Sequence, residues 1–524
     1  MSQQTKSMAA ADPSETEKAP VYNGQGTEED PYVVEFQKID PGNPMNWSQF
    51  RKWFITTIVT LSVFAVTFTS SAYSESSNEV IADFNISPEV FIVGVSLFVL
   101  GFAVGPAVWG PLVTIAPRSE LYGRKVLWII SHVSMVAFIG GSAGSRNITT
   151  LLILRFLGGT FGASPLVNSG GAIADLFPPA QRGLAMALYC AAPFLGPVLG
   201  PVVGGFVSEN VGWRWVQGVC CIFIGVIGIL GVIFVPETYG PVLLSQRAVH
   251  LSKVNGKVYI SVLDKSQPKK TPSEIFQRAL VRPWVLLFRE PIVLFASLYM
   301  ALIYGTVYMF MAAMPIVYNE DRGWSEGIGG LAFMGIAVGI LLGLTYALYD
   351  NNRRYMKLFL AKKTTAESRL PPAMIGAIAL PVGMFAFAWT NYPSIHWSAS
   401  VILSVPFGFG CVLVLLPMIN YLIDSYTIYA ASVLAAAAIF RSIVGAVFPL
   451  FTTQMYDSLG IHWASSVPAF LVSACVPFPL IMYRYGGALR MKCKYAFEAA
   501  EMMKRMQMQQ ASVPRKEDDS SSSD

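Results

Sequence analysis

Residues 90–112 read VFIVGVSLFVLGFAVGPAVWGPL and contain no charged side chain. An α-helix rises about 1.5 Å per residue, so about 20 such residues cross the roughly 30 Å of hydrocarbon in a bilayer. Eleven further runs are long and apolar enough to do the same, near 53–73, 126–143, 149–171, 183–207, 213–236, 291–318, 327–349, 371–390, 397–420, 429–455 and 464–485. The sequence therefore predicts an all-α membrane protein with twelve transmembrane helices.

The composition agrees with a chain whose apolar surface faces lipid. Of 524 residues, 53% are hydrophobic and only 13% are charged, whereas soluble domains carry about 25% charged residues. The net charge of +5 is small and spread over loops. We therefore expect the lipid bilayer, and no nucleic acid, as a partner. The six cysteines show neither a disulfide framework nor metal-ligand spacing, so no metal site is expected.

Basic residues indicate the orientation. With the N-terminus inside, the inside segments hold 31 Lys and Arg residues, and the outside loops hold 2. The positive-inside rule then places both termini in the cytoplasm. Residues 1–52 are polar and are predicted to form a disordered cytoplasmic tail. Residues 486–524 are predicted to form a second cytoplasmic tail.

The longest internal polar stretch, 237–290, divides the chain into two six-helix bundles, 53–236 and 291–485. Within it, Thr271-Pro272-Ser273-Glu274 has the pattern of a helix N-terminus. The helix that follows is expected to lie along the membrane surface. Two six-helix halves around a charged linker are typical of transporters built from repeats.

The predicted fifth helix contains a Gly-Pro repeat. Its members are Gly196, Pro197, Gly200, Pro201, Gly204 and Gly205. The glycines at positions 196, 200 and 204 recur every four residues, so they share one helix face. Such a face lets another helix approach closely. The prolines free backbone carbonyls and bend the helix. The repeat predicts either simple tight packing or the close, sliding interface that a rocking transporter needs.

Two charged features also point to a mechanism. Arg155 lies inside the predicted fourth helix. Burying a charged guanidinium in hydrocarbon costs a few kcal/mol or more, so Arg155 should face a cavity or a carboxylate. The alternative is that its side chain snorkels to the membrane edge. A loop combines Glu120, Gly123, Arg124 and Lys125. These charges either pair with neighbouring helix ends in one conformation and separate in another, or form a solvated turn.

These features resemble the major facilitator superfamily, specifically its fungal branch of twelve-span drug:proton antiporters, over roughly residues 40–490. The resemblance is carried by NPMNW (43–47), SLFVLGFAVGPAVWGPL (96–112), SELYGRK (119–125), RFLGGTFGASPLVNSGGAIADLF (155–177), RGLAMALY (182–189), FLGPVLGPVVGG (194–205), GWRWV (212–216), PETYGPVLL (236–244) and NYLIDSYTIYAASVLAAAAIFRS (420–442). It implies a gating role for the 120–125 loop, a proton-coupling role for Arg155, and export through the Gly-Pro antiporter repeat.

The chain departs from that pattern in two places. Residues 113–118 separate WGPL from SELYGRK, which the family joins directly. They are either a true insertion or a gene-model error. Ala437 and Ala438 stand where relatives often have polar residues, so a polar cavity contact is expected to be missing.

The substrate site of this architecture lies near the membrane midplane between the halves. The polar and aromatic candidates for its wall are Asn168, Tyr189, Phe194, Tyr304, Tyr308, Asn420 and Arg441. The two helix 7 tyrosines are one turn apart and suggest a stacking wall for a flat amphipathic ligand, although any single aromatic could serve packing alone. Few acids lie inside the helices, which favours neutral or weakly charged cargo. Glu75 and Glu79, at the outer end of helix 1, are expected to face water.

The leading interpretation is secondary active export of small amphipathic molecules such as toxins, antifungals or a fungal secondary metabolite. A monomer would use the proton gradient and no cofactor. A polyamine or cation exporter is the alternative. A membrane-embedded enzyme is a more remote alternative, since the four histidines are scattered and the sequence shows no catalytic triad or nucleotide-binding loop.

The expected location is the plasma membrane, with the vacuolar membrane as an alternative. Asn147-Ile-Thr149 is a predicted N-glycosylation acceptor in an outside loop. The acceptor sequence Asn46-Trp-Ser48 is expected to stay inside and unmodified.

Overall fold

The fold is almost entirely helical. The computed structural model describes residues 22–37, 40–115, 123–178, 181–262 and 272–512. Its α-helices are α1 (Gln49–Ala72), α2 (Ser77–Phe84), α3 (Pro88–Ile115), α4 (Arg124–Ala143), α5 (Ile148–Leu176), α6 (Arg182–Val211), α7 (Trp213–Phe234), α8 (Gly240–Asn255), α9 (Pro272–Arg289), α10 (Pro291–Met314), α11 (Glu326–Gly330), α12 (Met334–Asp350), α13 (Met356–Leu360), α14 (Pro371–Thr390), α15 (Trp397–Leu403), α16 (Val405–Tyr426), α17 (Ala430–Cys475), α18 (Pro477–Lys492) and α19 (Lys494–Ser512).

Short elements connect or extend these helices. The 3₁₀ segments are Pro44–Asn46, Tyr73–Ser76, Leu331–Phe333, Ala366–Arg369 and Thr427–Tyr429, and the π-helical segments are Pro315–Glu320 and Asn351–Tyr355. Two strands, β1 (Tyr32–Val34) and β2 (Tyr259–Ser261), pair in parallel.

Ten helical segments of the described chain are long and apolar enough to cross a membrane. Nine correspond to one predicted span each. The tenth, Trp397–Lys492, has 96 residues and covers the last three predicted spans. Its helices are interrupted at Thr427 (φ 4°, ψ −76°) and at Gly460 (φ 72°, ψ 162°), where the chain turns. The prediction of an all-α membrane protein with twelve spans is therefore confirmed.

The two halves repeat the same helix pairs. In the first half α1 packs on α6, α3 on α5, and α4 on α5. In the second half the equivalent pairs are α10 on α17, α12 on α16, and α14 on α16. The halves meet where α3 packs on α17 and where α6 packs on α11 and α12. Two six-helix bundles of one architecture thus face each other across two symmetric helix contacts.

Both ends of the described chain, near residues 22 and 512, lie on one side of the molecule, which we call the terminal face. The rings of Phe54, at the start of α1, and Phe234, at the end of α7, lie 5.3 Å apart. β1 from the N-terminal segment pairs with β2 from the linker. At the other end, the Tyr495 amide in α19 donates to the Glu290 carboxylate at 3.0 Å, just before α10. The opposite side is called the far face.

The N-terminal segment differs from its prediction. Residues 1–52 were expected to be disordered, but within the described part β1 docks on the linker and the Pro44–Asn46 turn packs on α5. Val34 is fully buried against Leu244 of α8, and Asp40 pairs with Arg247. A short apolar stretch can therefore pack on another part of the chain even when the average composition of its segment is polar and predicts disorder.

The C-terminal boundary differs as well. The tail was expected to begin at residue 486, yet α18 continues to Lys492 and α19 runs from Lys494 to Ser512. The predicted interfacial helix of the linker is present as α9, and its Phe288 side chain is 70% exposed. α3 remains helical to Ile115, three residues into the 113–118 stretch. Residues 116–122, including Glu120, lie outside the described residues.

Candidate functional site

A cavity of about 820 Å³ lies between the two bundles, within the range of pockets that hold drug-sized ligands. Six of the seven residues predicted for its wall line it: Asn168, Tyr189, Phe194, Tyr304, Asn420 and Arg441. The first three come from α5 and α6, and the others come from α10, α16 and α17. Each half therefore contributes polar and aromatic groups to one shared chamber.

The cavity opens on the terminal face. Its lining includes Arg124 at the start of α4, Arg182 at the start of α6, Tyr239 just before α8, and Asp424 near the end of α16. All of these positions lie at the helix ends on the terminal face. Deeper in, the lining reaches Tyr304 in the middle of α10.

The far face is closed by hydrogen bonds between the halves. The hydroxyl groups of Ser70 and Tyr308 lie 2.8 Å apart and are fully buried. The Asn78 amide donates to the Glu326 carboxylate at 3.1 Å. The Gly327 amide donates to the Glu209 carboxylate at 3.0 Å. A cavity open at one face and sealed at the other is one end state of an alternating-access cycle.

Tyr308 corrects one prediction about the cavity. It was expected to form a stacking wall with Tyr304, but it is not among the residues that line the chamber. The two rings are tilted by 57° at 5.0 Å, and Tyr308 turns its hydroxyl to Ser70. The ring that contacts Tyr304 from the other half is Phe194, which lies edge-on with the two ring centroids 6.0 Å apart. Tyr308 therefore belongs to the hydrogen bonds between the halves that close the far face, which we call the far-face seal.

The Gly-Pro repeat of α6 presents two close-contact faces. A Cβ atom at Gly196, Gly200 or Gly204 would overlap α1; at Gly200 it would lie 2.7 Å from the Phe68 carbonyl oxygen. On another face, a Cβ at Gly205 would overlap the Glu326 carbonyl of the second half. A Cβ at Gly330 would in turn lie 2.7 Å from the Pro201 carbonyl oxygen. The repeat thus lets α6 contact both α1 and the opposite half at backbone distance.

Arg155 lies inside the first bundle and does not snorkel, because its exposed fraction is 0%. It was expected to face a cavity or a carboxylate. Instead its guanidinium donates to the carbonyl oxygens of Gly94 at 2.8 Å and Ser70 at 3.0 Å. It also lies 4.2 Å from the centre of the Tyr73 ring. Arg155 therefore holds α1 at Ser70, the residue whose side chain contacts Tyr308.

The described part of the predicted gating loop pairs within the first half. Arg124 forms an ion pair with Asp175 of α5 at 3.4 Å. The Lys125 amide donates to the Glu237 carboxylate at 3.0 Å, and Gly123 leaves room for that carboxylate. The Arg124 guanidinium lies over the Tyr239 ring at 4.7 Å. Burial raises the pKa of the Tyr239 hydroxyl, and Arg124 offsets part of this rise.

Glu75 is another residue that sequence reasoning placed wrongly. It was expected to face water, but it is 2% exposed in the Tyr73–Ser76 turn between α1 and α2. One carboxylate oxygen accepts a hydrogen bond from Asn319 of the second half at 3.5 Å, and the other has no partner among the described residues. Glu79 stays within the first half, where the Trp213 amide donates to it at 2.5 Å. The apolar run ends just before Glu75, so the sequence carried no sign of its burial.

The predicted glycosylation acceptor lies at the far face. Asn147 is exposed, and its side chain caps α5 by accepting from the Thr150 amide at 2.8 Å. The Asn46 sequence lies at the terminal face, next to the start of α1. The two acceptors are therefore on opposite sides, and modification at Asn147 stays a prediction.

Comparison with known proteins agrees with this arrangement. The Major Facilitator Superfamily profile matches residues 53–449. The chain is 74% identical over 521 residues to the major facilitator-type transporter sorT of Penicillium rubens, which covers 99% of each protein. It is 54% identical to the multidrug transporter mdrA of Aspergillus fumigatus, over 95% of this chain and 81% of that one. The xylose transporter XylE from E. coli shares the fold, with a TM-score of 0.60 at 17% identity over 83% of this chain and 98% of that one.

The family, the relatives and the two-bundle fold assign one class to this molecule. It is a secondary transporter of the efflux type, and the prediction of a transporter rather than an enzyme agrees with its relatives. The chain belongs to the Major Facilitator Superfamily, among its fungal efflux transporters.

Proposed function

We propose that this protein exports its cargo by proton antiport, and that Glu75 takes up a proton from the outside while the far face is open. The observation that carries the proposal is the cavity between the bundles, which is open at one face and sealed at the other. The name of one relative, a multidrug transporter, supports cargo of small toxic molecules. The chamber is built by two halves of one chain, which supports action as a monomer.

Antiport needs a group that gains and loses a proton. Arg155 is a poor carrier, because a guanidinium remains protonated at any physiological pH. Glu75 is a better carrier, because it is a carboxyl group buried in the closed interface and its hydrogen-bond partner Asn319 belongs to the opposite half. Glu326, which bonds to Asn78, is another acid whose charge acts on Glu75.

The charges around Glu75 determine how a proton would act. Besides Glu326, the described acids near this interface include Glu209 on α6 and Glu79 on α2, although the hydrogen bonds of Glu79 stay within the first half. An ionised carboxylate sealed beside other acids without a cation is costly. Uptake of a proton from the far side would therefore help the face to close. The hydroxyl groups of Ser70, Tyr308 and Tyr304, spaced 2.8 and 3.5 Å, would offer a route from this interface to the cavity wall.

We expect Glu75→Gln to uncouple transport from the proton gradient. The amide resembles the protonated acid in shape but cannot release a proton. In proteoliposomes, export driven by a pH gradient should fall at least about tenfold, a loss of about 1.4 kcal/mol of coupling, while exchange of substrate without a gradient continues. The matched control is Glu79→Gln, whose partners lie within the first half. Equal loss of exchange and gradient-driven transport in Glu75→Gln would remove Glu75 from the proton pathway.

The proposed function itself is tested in two steps. Yeast cells that lack their own exporters, expressing this protein, are grown on a panel of antifungals, mycotoxins and polyamines. Compounds that become tolerated are then loaded with the purified protein in proteoliposomes, with and without a pH gradient. Gradient-dependent movement that a protonophore abolishes is expected. Transport that ignores the gradient, or tolerance limited to polyamines, would contradict proton-driven export of amphipaths.

We propose the plasma membrane as the location, and the cytoplasmic position of both termini rests on the distribution of basic residues. The exposed position of Asn147 on the far face is compatible with this orientation. A fluorescent fusion and protease protection of the N-terminus would test both points.

A further inference from the structure

We propose that Arg441 is an anion-binding subsite of the cavity, and that the preferred cargo is a flat amphipathic molecule with one acidic group, such as a carboxylate, phenolate or enolate. The inference rests on the proposed export function and names its substrate class. It depends on how charges along the cavity are paired, on the position of Arg441, and on the small apolar wall beside it.

Five of the described arginines line the cavity, and four of them are already engaged. Arg124 pairs with Asp175 at 3.4 Å, Arg354 with Asp350 at 2.7 Å, Arg369 with Asp424 at 3.0 Å, and Arg182 donates to the Ala174 carbonyl at 3.0 Å. Asp350 and Asp424 are the carboxylates in the described part of the lining, and both are paired with these arginines. Among the described residues, Arg441 has neither an acidic partner nor a backbone acceptor. The cavity thus carries an unmatched positive charge at this point.

Arg441 lies deep in the chamber. It is eleven residues from the start of α17, which places it roughly 16 Å from the terminal end of that helix. Its guanidinium carbon lies 4.9 Å from the centre of the Tyr304 ring, and its Nε atom is buried without a hydrogen-bond partner. A cation in this position is costly unless an anion offsets it. The planar guanidinium can hold a carboxylate by two parallel hydrogen bonds, which a lysine cannot do.

The wall next to Arg441 suits an aromatic or conjugated body. Ala437 and Ala438 precede Arg441 by four and three residues, so they share its helix face, and both line the cavity. Their methyl groups leave a flat apolar surface where a polar side chain would intrude. Tyr304 and Phe194 bound the same space with their rings edge-on at 6.0 Å. A flat ligand can therefore lie on the alanines with its acidic group at Arg441.

The same charges disfavour a polyamine. A polycation needs free carboxylates, and those of the described lining are neutralised by arginine. Arg441 would repel an ammonium group that came near it. The structure therefore favours anionic over cationic cargo, although the sequence left both open.

The test uses three probes with one ring system: 2-naphthoic acid, 2-naphthamide and 2-naphthylmethylamine. At neutral pH these are an anion, a neutral molecule and a cation of similar size. Their binding to the purified full-length protein in detergent is measured by calorimetry after subtraction of protein-free micelles. We expect the acid to bind at least about tenfold more tightly than the amide, and the amine to bind more weakly than the amide. Equal affinities for acid and amide, or a preference for the amine, would overturn the proposal.

Two variants locate the effect. Arg441→Gln should remove the advantage of the acid while binding of the amide stays within about twofold, well under the tenfold step of 1.4 kcal/mol. Ala438→Glu places a carboxylate three residues before Arg441, where it can pair with the guanidinium. This variant should also lose the acid preference, and it decides the matter if Arg441→Gln does not fold. Persistence of the preference in a folded variant would contradict the assignment. Binding in detergent needs no gradient, so failure of proton-driven export would leave this result unaffected.

Discussion

Gly204→Ala is expected to abolish most transport while the protein still reaches the membrane. The added methyl group would overlap the Ala72 carbonyl oxygen of α1, a backbone atom that cannot rotate away. Overpacking of this kind costs about 1–3 kcal/mol, and here the cost falls on the helix pair beside the far-face seal. We expect the export rate to fall by at least about tenfold. Initial rates of substrate movement in proteoliposomes measure this, with surface expression quantified in parallel.

Gly225→Ala is the matched control for that change. Gly225 also lies in a transmembrane helix, α7, but a Cβ atom there would lie 3.9 Å from Val136, an ordinary contact. Transport by this variant should equal that of the wild type. If Gly204→Ala transports normally, the close approach of α6 to α1 is not needed for the cycle, and the role assigned to the Gly-Pro repeat is wrong.

Arg155→Ala is expected to have the larger effect of the two. It removes the donors to the Gly94 and Ser70 carbonyl oxygens and leaves a buried void beside Tyr73. Hydrogen bonds from a charged group contribute about 1.5–3 kcal/mol each. We therefore expect proton-driven export to fall by at least about 100-fold. Arg155→Lys should recover little, because one ammonium group cannot reproduce the span between two carbonyls on different helices.

Arg146→Ala is the control for the arginine substitutions. Arg146 is exposed in the far-face loop before α5, and its loss should leave transport unchanged. Detergent-solubilised Arg155→Ala should remain monodisperse in size-exclusion chromatography. Wild-type export by a folded Arg155→Ala protein would reduce Arg155 to a packing residue.

Much of the fold was readable because membrane spans are specified by length and hydropathy. The ninth predicted span, 371–390, coincides with α14 (Pro371–Thr390). The cavity residues Asn168, Asn420 and Arg441 were found for a related reason, since a polar side chain inside a span requires a wet or paired environment. These inferences follow from the free-energy cost of placing polar groups in the hydrocarbon of the bilayer.

The sequence did not predict which side of each helix faces the cavity. When the lipid face and the protein face of a helix are both apolar, the pattern of residues does not tell which side faces the cavity. Tyr304 and Tyr308 lie one turn apart, yet one lines the chamber and the other seals the far face. Glu75 follows the apolar run and looked exposed, because its partner Asn319 lies in the other half of the chain. Such contacts arise only when the two bundles meet.

The central claim is that export requires the far face to open and close. It is tested most directly by proton-driven export through the double variant Asn78→Cys/Glu326→Cys, whose native side chains bond across the halves at 3.1 Å. The variant is measured before cross-linking, after treatment with a short, reducible bifunctional thiol reagent, and after reduction. The two single-cysteine variants, treated identically, control for modification of native thiols. We predict that cross-linking reduces export to background and that reduction restores it. Undiminished export through the cross-linked protein would contradict alternating access at this face.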